Sequence, residues 1–388
     1  MRITGVKSFL VNPGDRVDWG SGFGANWHFV KVYTDEGLDG LGEVFHSVDE
    51  PAEAALRKFE RWLIGKDPTK IIHNWQAIYR GLRYPLGTAT LSALSAVEQA
   101  LWDIAGKACG LPICRMLGGP CRDRIQVYAS AGLLSGKPLV EAALDVVSEG
   151  YGALKFTPQP PDYASKSAER VFVESVERVR SVREAVGDEI AVCLDYHGRS
   201  FSPAEAVRFA EAVGPFHPLF LEEPAPTENP RALAEIRSKT NVPVAGGERC
   251  ISRQSFREIL ETRAVDIFQP EPLACGGILE TVKWAATAEL HHIMIAPHQA
   301  CSPVSLLVCA HIDACIPNFL IQECNVRLDS PSARDMIVGL PEIAGGYLQV
   351  PSKPGLGIEL NEESLADYPY RPFDRPVMVM QDGSIGLE

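Results

Sequence analysis

The chain has 388 residues, of which 46% are hydrophobic and 22% are charged, an ordinary composition for a globular protein. It carries 37 Lys and Arg against 50 Asp and Glu, and the net charge of −13 argues against nucleic acids and anionic membrane surfaces as main partners. A small acidic substrate stays open, because a bound cation can reverse the local field.

The sequence lacks several features that would place the protein outside the cytoplasm. No run of 18 apolar residues predicts a membrane span, and the first residues lack the apolar core of a signal peptide. The ten cysteines show no CxxC spacing, and several lie in apolar runs, which favours buried free thiols over disulfides or a zinc site. We therefore expect a cytoplasmic protein.

The first 118 residues have a pattern of strands followed by helices. The runs Trp27–Tyr33 and Leu38–Val44 flank a turn, which is typical of a hairpin. Residues 51–118 are helical in pattern, and the long amphipathic segment Ala89–Cys109 stops at Gly110. This region is therefore distinct from the rest of the chain.

From residue 125 the pattern changes to short β-rich runs, each followed by a helical stretch. Strands that alternate with helices at this spacing indicate parallel β/α units, and eight of them predict a closed barrel. The tail 330–388 is rich in Pro, Gly and acidic residues, and we expect it to return and cover the N-terminal region. The predicted strands are Ile125–Ser130, Ala153–Phe156, Glu189–Asp195, Leu219–Glu222, Pro243–Gly247, Val265–Pro270, Ile293–Pro297 and Asn318–Gln322.

An ionisable residue stands at or just after the end of seven of these strands. Because strand C-termini in a parallel barrel meet at one mouth, groups far apart in the sequence would converge there. One acidic residue after a strand is ordinarily a helix cap or a solvent-facing side chain, but seven in register favour a shared pocket. They are Lys155, Asp195, Glu222, Glu248, Glu271, His298 and Glu323.

Three of these groups predict a metal site. Burying several carboxylates close together without a cation is strongly unfavourable, so Asp195, Glu222 and Glu248 on neighbouring strands require one. Ligation by oxygen alone favours a hard ion, Mg²⁺ first and Mn²⁺ second, and argues against zinc.

The other groups at the mouth suit proton transfer. His298 lies one strand from Glu271, and a carboxylate that holds one ring nitrogen fixes the tautomer and raises the basicity, so we predict a catalytic base. Lys155, a cation directed into an acidic mouth, fits binding of a substrate carboxylate or oxyanion. Glu323 either stabilises the barrel end or hydrogen-bonds an enediolate oxygen. His197, just beyond a strand end, is either a general acid or a supporting group.

Several stretches of the sequence together resemble the enolase superfamily and, within it, the mandelate racemase subgroup. The resemblance covers nearly the whole chain. It implies an α/β fold, namely a modified (β/α)₇β TIM-like barrel at 125–330 and an N-terminal α+β capping domain at 1–124, completed by the C-terminal segment 331–388. The stretches are Ser92–Lys107, Leu117–Gly119, Leu221–Pro224, Gly247–Arg249, Gly276–Ile278 and Pro354–Gly357.

The resemblance also implies a shared first chemical step. Mg²⁺ would be held by the three carboxylates named above, with Glu222 rather than Glu223 as the ligand. The first step would be removal of the proton α to a carboxylate. That proton is too weakly acidic for a free imidazole, so the metal, Lys155 and Glu323 would have to stabilise the developing dianion.

Two departures from the subgroup narrow the reaction. Racemases of this subgroup carry Lys-x-Lys where this chain has Lys155-Phe156-Thr157. Thr cannot act as a base at neutral pH, and a two-base racemase needs a group on each face of the substrate, so racemisation is disfavoured. Glu271 stands where the usual partner of the histidine is Asp, which leaves the geometry of this pair open.

The motif Asp195-x-His197 is similar to that of acid-sugar dehydratases of the galactonate dehydratase type. In those enzymes the histidine protonates the leaving 3-hydroxyl. We therefore predict Mg²⁺-dependent dehydration of a sugar acid, an aldonate or aldarate, to a 2-keto-3-deoxy sugar acid, with His298 as base and His197 as acid. We further expect a homo-oligomer acting on a small molecule.

Other activities on the same scaffold stay open. One is another β-elimination or the cycloisomerisation of an anhydro sugar acid, and a second is a non-catalytic protein that only binds sugar acids. The identity of the sugar acid is not encoded in the residues above. Residues of the capping loops that either select the substrate or pack the cap on the barrel are Trp19, Phe23, Trp27, His46, Arg83 and Tyr84.

Overall fold

The N-terminal part of the computed structural model is an antiparallel sheet covered by helices; the structure describes residues 1–14, 26–46, 48–131, 137–200, 202–372 and 377–387. The sheet order is β1-β2-β3. Helix α3 lies so close to β3 that a Cβ at Gly42 would stand 2.1 Å from the Ala96 carbonyl oxygen. The elements are β1 Ile3–Val11, β2 Trp27–Thr34, β3 Asp39–Val44, α1 Asp49–Leu63, α2 Ile71–Gly81, α3 Thr88–Cys109 and α4 Ile113–Met116.

A parallel barrel follows. Its strands pair in chain order from β4 to β10, β11 pairs with β4, and a parallel bridge between Ile295 and Phe319 closes the ring. The strands are β4 Arg124–Ser130, β5 Ala153–Phe156, β6 Ala191–Asp195, β7 Phe220–Glu222, β8 Val244–Gly246, β9 Ile267–Phe268, β10 Met294–Ile295 and β11 Gln322–Cys324. The helices between them are α5 Leu139–Ser148, α6 Ala168–Val186, α7 Pro203–Val213, α8 Pro230–Lys239, α9 Arg253–Thr262, α10 Ile278–Glu289 and α11 Pro303–Cys315.

The barrel interior is filled with side chains rather than open. Every strand, or the residue beside it, contributes one buried side chain to a single cluster, as expected for a packed parallel barrel. The cluster combines four large side chains with four small ones, and together they fill the barrel axis. Its members are Tyr128, Ala153, Cys193, Phe220, Ala245, Ile267, Ala296 and Ile321.

The predicted barrel is confirmed, with corrections to several strand ends. Strand β5 has the predicted bounds, whereas β9 and β10 are two residues long and end before Pro270 and Pro297. Proline has no N–H to donate to a ladder, so it does not extend these strands. The eighth strand was placed too early: the ladder with β4 begins at Gln322, and Glu323 therefore lies inside β11 rather than after it.

The C-terminal segment returns to the N-terminal part, as expected. The Lys31 ammonium lies 2.9 Å from Glu362 Oε1, and the Lys107 ammonium lies 2.8 Å from Glu359 Oε1. The exact domain boundaries stay predictions. No helix in the described ranges is long and apolar enough to cross a membrane. The segment contains α12 Pro331–Met336, β12 Ile337–Val338, β13 Ile343–Ala344, β14 Tyr347–Gln349 and β15 Glu359–Leu360.

Candidate active site

Three acidic side chains lie at or just beyond the carboxyl ends of neighbouring barrel strands. Asp195 and Glu222 end β6 and β7 and are directly paired in the parallel register. Glu248 follows the last residue of β8 by two positions. The side chains of Asp195 and Glu222 are buried, and that of Glu248 is partly exposed. The fold thus brings these groups to one edge of the barrel.

Lys155 lies at the centre of this acidic cluster. Its ammonium group is 2.9 Å from Asp195 Oδ2, 2.9 Å from Glu222 Oε2 and 2.6 Å from Glu323 Oε1. Burial alone would lower its pKa, but the three carboxylates outweigh burial and hold the pKa well above its ordinary value. Lys155 therefore stays charged and offsets part of the negative charge around it.

The acidic cluster has the donor chemistry that a hard cation requires. Glu222 is fully buried, and its Oε1 has no hydrogen-bond partner among the described residues. Burial and the nearby Asp195 raise the pKa of Glu222 well above its ordinary value, which marks negative charge that is not fully compensated. In the described ranges no three acidic, histidine or cysteine side chains are arranged to hold a metal ion as they stand. Lys155 contacts Asp195 Oδ2 and Glu222 Oε2, which leaves Glu222 Oε1 as an oxygen that a cation could use.

His298 and Glu271 form a buried hydrogen-bonded pair. Their Nδ1 and Oε2 atoms are 2.7 Å apart, and the second oxygen of Glu271 accepts a hydrogen bond of 2.8 Å from the Leu273 N–H. Glu271 therefore contacts the imidazole, although its side chain is one methylene longer than that of aspartate. The Leu273 N–H holds its carboxylate in place. Burial lowers the pKa of His298, but Glu248, Glu323 and Glu271 outweigh it and raise the pKa to about 10.

His197 is turned back toward Asp195 by an unusual backbone conformation. Its φ of 52° lies in the left-handed region, where residues other than glycine are uncommon. Its N–H donates to Asp195 Oδ1 at 3.2 Å, and its Nδ1 lies 3.3 Å from the same oxygen. Burial lowers the pKa of His197, and Asp195 opposes that shift. Asp195 is therefore the main group that favours the protonated form of this imidazole.

Glu323 connects the acidic cluster to the turn after His298. Its Oε2 accepts a hydrogen bond of 2.9 Å from the Gln299 N–H, and its Oε1 accepts one of 2.9 Å from Asn325 Nδ2. Because Oε1 also contacts Lys155, this carboxylate has partners on both oxygens. Its place inside a barrel strand fixes it at the mouth.

Family models match both parts of the fold. Residues 18–118 match the N-terminal domain of the mandelate racemase and muconate lactonizing enzymes, and residues 138–364 match the C-terminal domain of enolase-like proteins. The chain belongs to this family of the enolase superfamily.

Relatives with names span nearly its whole length. A D-galactonate dehydratase of Variovorax paradoxus is 34% identical, and one of Xanthomonas euvesicatoria is 35% identical, each over 99% of both chains. A candidate galactarate dehydratase of Agrobacterium radiobacter, crystallised with sodium and L-malate, has a TM-score of 0.91 at 29% identity and covers 100% of both chains. A candidate dehydratase of Mesorhizobium loti has a TM-score of 0.86 at 33% identity, covering 96% of this chain and 99% of its own.

In this enolase superfamily member, Thr157 stands one residue past β5, at the position that bears a second lysine in racemases. Its side chain is buried, and its Oγ1 has no hydrogen-bond partner among the described residues. A hydroxyl can position a substrate oxygen but cannot accept the α-proton at neutral pH. The structure therefore offers an imidazole on one side of the mouth and a hydroxyl where a second base would stand.

The N-terminal sheet reaches the proposed base through Phe45 and His46. The two rings lie 4.1 Å apart between centroids, and the Phe45 ring lies 6.1 Å from the ring of His298. His46 was named from the sequence, and the structure brings it beside this pocket. Phe45 was missed, because nothing in an apolar residue at a strand end distinguishes a pocket wall from ordinary core.

The capping-loop candidates other than His46 that the structure describes are Trp27, Arg83 and Tyr84. Trp27 is buried in β2 and makes an edge contact with Phe29, at 6.0 Å between centroids, which favours the packing role. Arg83 and Tyr84 are exposed after α2, and the structure does not bring them together with the strand-end groups that it describes. Trp19 and Phe23 lie outside the described residues.

Gln299 and Asn325 are two supporting residues that the sequence did not reveal. Asn325 donates from its backbone to Gln299 Oε1 at 2.8 Å, and its Oδ1 accepts from the Ser130 hydroxyl at 2.6 Å. Both residues also donate to Glu323, so they fix that carboxylate from two directions. The signal in the sequence that could have found them is their position, directly after His298 and two residues after Glu323.

Proposed function

We propose that this protein is a Mg²⁺-dependent hydro-lyase that dehydrates a sugar acid, an aldonate or aldarate, to a 2-keto-3-deoxy sugar acid. The observation that carries the proposal is the presence of two histidines with different surroundings around one acidic cluster. His298 is paired with the Glu271 carboxylate and suits a base, whereas His197 lies beside Asp195, whose negative charge favours the protonated imidazole that a general acid needs. The names of the dehydratase relatives support the same class of reaction.

In the proposed mechanism His298 removes the α-proton. A proton on Nδ1 donates to Glu271, which leaves Nε2 as the acceptor that faces the mouth. The negative charge that develops on the substrate carboxylate is stabilised by the Lys155 ammonium and by a hydrogen bond proposed for Glu323. Bound Mg²⁺ would add positive charge at the same carboxylate.

His197 then completes the elimination. The C3–O bond breaks as His197 donates a proton to the departing hydroxyl, which leaves as water, and the resulting enol becomes the 2-keto acid. One base and one acid suffice for this reaction, and Thr157 in place of a second base disfavours racemisation. A screen of aldonates, aldarates and anhydro sugar acids for 2-keto acid formation tests the proposal. Ring opening without loss of water would support the cycloisomerisation alternative, and binding without turnover would support a non-catalytic role.

Asp195, Glu222 and Glu248 are the proposed ligands of the metal. They supply only oxygen donors, and Glu222 Oε1 is buried without a partner among the described residues, as expected for a site that takes Mg²⁺ or, as a second choice, Mn²⁺. A cation at Glu248 would also offset part of the negative charge that raises the pKa of His298. The base would then titrate closer to neutral pH, where general bases work best.

Removing the metal is expected to abolish activity. Chelation should stop 2-keto acid formation and added Mg²⁺ should restore it. Glu248→Gln should raise the Mg²⁺ concentration for half-maximal activity by at least about 10-fold, the lower limit known for loss of residues that only support metal ligands. Glu223→Gln is the matched control, because Glu223 pairs with Arg249 at 3.2 Å and is not a proposed ligand. It should leave the Mg²⁺ concentration for half-maximal activity unchanged. Full activity of metal-free protein would refute the metal assignment.

Glu271→Gln is expected to move the acidic limb of the pH–rate profile to lower pH. Glu271 raises the pKa of His298 by stabilising the imidazolium, so its neutral replacement lowers that pKa. Since the base must be unprotonated, activity should persist to lower pH, although kcat should fall because a weaker base removes the proton more slowly. The measurement is kcat/KM from about pH 5 to 9 at saturating Mg²⁺. An acidic limb that does not move would show that Glu271 is not the partner.

We also propose that the protein works in a reducing compartment, the cytoplasm, as a homo-oligomer. All ten cysteines are free thiols, and most are buried. Their burial raises the pKa of several of them, including Cys193 and Cys309, which makes the thiolate form scarce. Light scattering of the purified protein measures the oligomeric state.

A further inference from the structure

Two buried carboxylates of the N-terminal part bind the first turns of barrel helices. Glu98 of α3 accepts hydrogen bonds from the N–H groups of Ile278, at 2.8 Å, and Leu279, at 3.0 Å. Glu43 of β3 accepts from the Ser302 and Ser305 N–H groups, each at 3.0 Å, and from the Ser302 hydroxyl at 2.7 Å. The first turns of α10 and α11 are thus held from another part of the chain.

Both carboxylates are fixed in their own region. Glu98 Oε1 accepts from the Trp102 indole N–H at 2.7 Å, and the Glu43 backbone N–H donates to Gln99 Oε1 at 2.9 Å. Glu43 is 0% and Glu98 2% exposed. Burial raises the pKa of Glu43 to about 8, and the hydrogen bonds from Ser302 and Ser305 oppose that rise. These donors therefore offset a desolvation cost that an apolar side chain at this position would not incur.

The neighbouring barrel helices are capped by residues of their own N-termini. Helices α7, α8 and α9 are capped by Ser202, Asn229 and Ser252 at their own first turns. Helix α10 begins after Gly277, which has no side chain to cap it, and a Cβ there would lie 2.2 Å from Glu98 Oε2. In α11 the capping hydroxyl of Ser302 is itself bound by Glu43.

The two helices held in this way are those that follow the proposed base pair. Glu271 lies seven residues before α10, and its carbonyl accepts from the N–H groups of Ala274 and Cys275. His298 lies five residues before α11, and the Gln299 side chain binds the Cys301 carbonyl at 3.0 Å and the Ser305 hydroxyl at 2.7 Å. Each half of the pair is therefore joined by one short turn to a carboxylate of the N-terminal part.

We propose that Glu43 and Glu98 are positioning residues that set the imidazole of His298 against Glu271 and the substrate. The proposal rests on the proposed function, in which His298 removes the α-proton. Neither residue contacts the reacting atoms; each acts by fixing the turn that follows one half of the pair. The N-terminal part therefore sets the geometry of proton removal in addition to covering the barrel.

The test uses full-length Glu43→Gln and Glu98→Gln, with Asn229→Ala as control. An amide replaces one acceptor oxygen with a donor, so one of the bound N–H groups loses its partner. Asn229→Ala also removes a helix cap, but from α8, which follows Glu222 instead of the base pair. Amide hydrogen exchange reports on the turns 296–305 and 271–280 without any substrate. The deuterium isotope effect on kcat with α-deuterated sugar acid reports on proton removal.

We expect Glu43→Gln to lose protection in 296–305 and Glu98→Gln in 271–280. Each should lower kcat about 10-fold or more, within the range known for misplacement of about 1 Å, and should increase the isotope effect at unchanged Mg²⁺ requirement. Asn229→Ala should change neither kcat nor the isotope effect. Protected turns, or an isotope effect equal to that of the control, would overturn the proposal.

Two further measurements keep the outcomes separate. If Glu43→Gln does not fold, Ser302→Ala removes the hydroxyl contact to Glu43 together with the cap on the Val304 N–H. Losses of protection and of kcat larger than those of the cap-loss control Asn229→Ala are then expected. An unchanged isotope effect in that variant would count against the proposal. A wild-type protein that turns over no sugar acid would overturn the proposed function, while hydrogen exchange would still decide whether Glu43 and Glu98 hold the turns.

Discussion

His298→Asn is expected to suppress α-proton exchange and dehydration together. The asparagine amide can still donate to Glu271, but it has no basic nitrogen in place of Nε2. General bases contribute about 10²- to 10⁴-fold, and we expect a loss of that order in both reactions. The measurement is proton NMR of the substrate in D₂O, which follows loss of the α-proton signal and formation of the 2-keto acid in one sample.

Thr157→Val is the matched control for this experiment. It keeps the shape of the side chain and removes the only group at the position where racemases carry a second base. Exchange should continue in Thr157→Val and stop in His298→Asn. Persistent exchange in His298→Asn would reveal a second base and would reopen racemisation as a function.

The barrel was predictable because its strands and helices alternate over eight units, but the strand ends were less so. The eighth strand was predicted around the apolar run Phe319–Ile321, whereas its ladder with β4 starts at Gln322. Polar Gln322 and Glu323 are both fully buried, and Glu323 lies at the mouth, where Lys155 and Gln299 bind it. Polar residues that are buried for function break the hydrophobic pattern from which strands are predicted.

The groups of the candidate site follow from one rule, that parallel strands end at the same mouth. This rule predicted that Asp195, Glu222 and Lys155 lie together. In the structure both carboxylates lie 2.9 Å from the Lys155 ammonium group. The rule cannot find Glu43 or Phe45, because both belong to the N-terminal sheet and reach the barrel only through tertiary packing. A single sequence carries no periodic signal for contacts between the N-terminal sheet and the barrel.

The reach of Glu271 is a second case that needed the structure. Side-chain length alone left its contact with His298 open. The deciding feature is the Leu273 N–H, which binds one carboxylate oxygen and leaves the other 2.7 Å from the imidazole. The turn from Glu271 to Leu273 thus holds the longer glutamate side chain in a position from which it contacts His298.

His197→Asn is expected to separate elimination from proton exchange. An α-carbanion expels hydroxide poorly, so proton donation to the 3-hydroxyl should contribute about 10²- to 10⁴-fold, and the variant should dehydrate the sugar acid slower by that factor. His298 is untouched, and exchange of the α-proton with D₂O should continue. Asparagine tolerates the left-handed backbone at φ 52° better than most residues, so the turn itself should persist.

Two controls decide whether His197 is the acid. His217 is also in the left-handed region, at φ 49°, and His217→Asn should leave both reactions unchanged. A substrate with fluoride at carbon 3 needs little help from an acid and should be eliminated nearly as fast by His197→Asn as by wild type. Dehydration of the natural substrate at full rate would reduce His197 to a supporting group beside Asp195. Loss of exchange together with elimination would show that His197 supports the base or the metal, because an acid that acts only on the leaving group cannot affect the earlier removal of the α-proton.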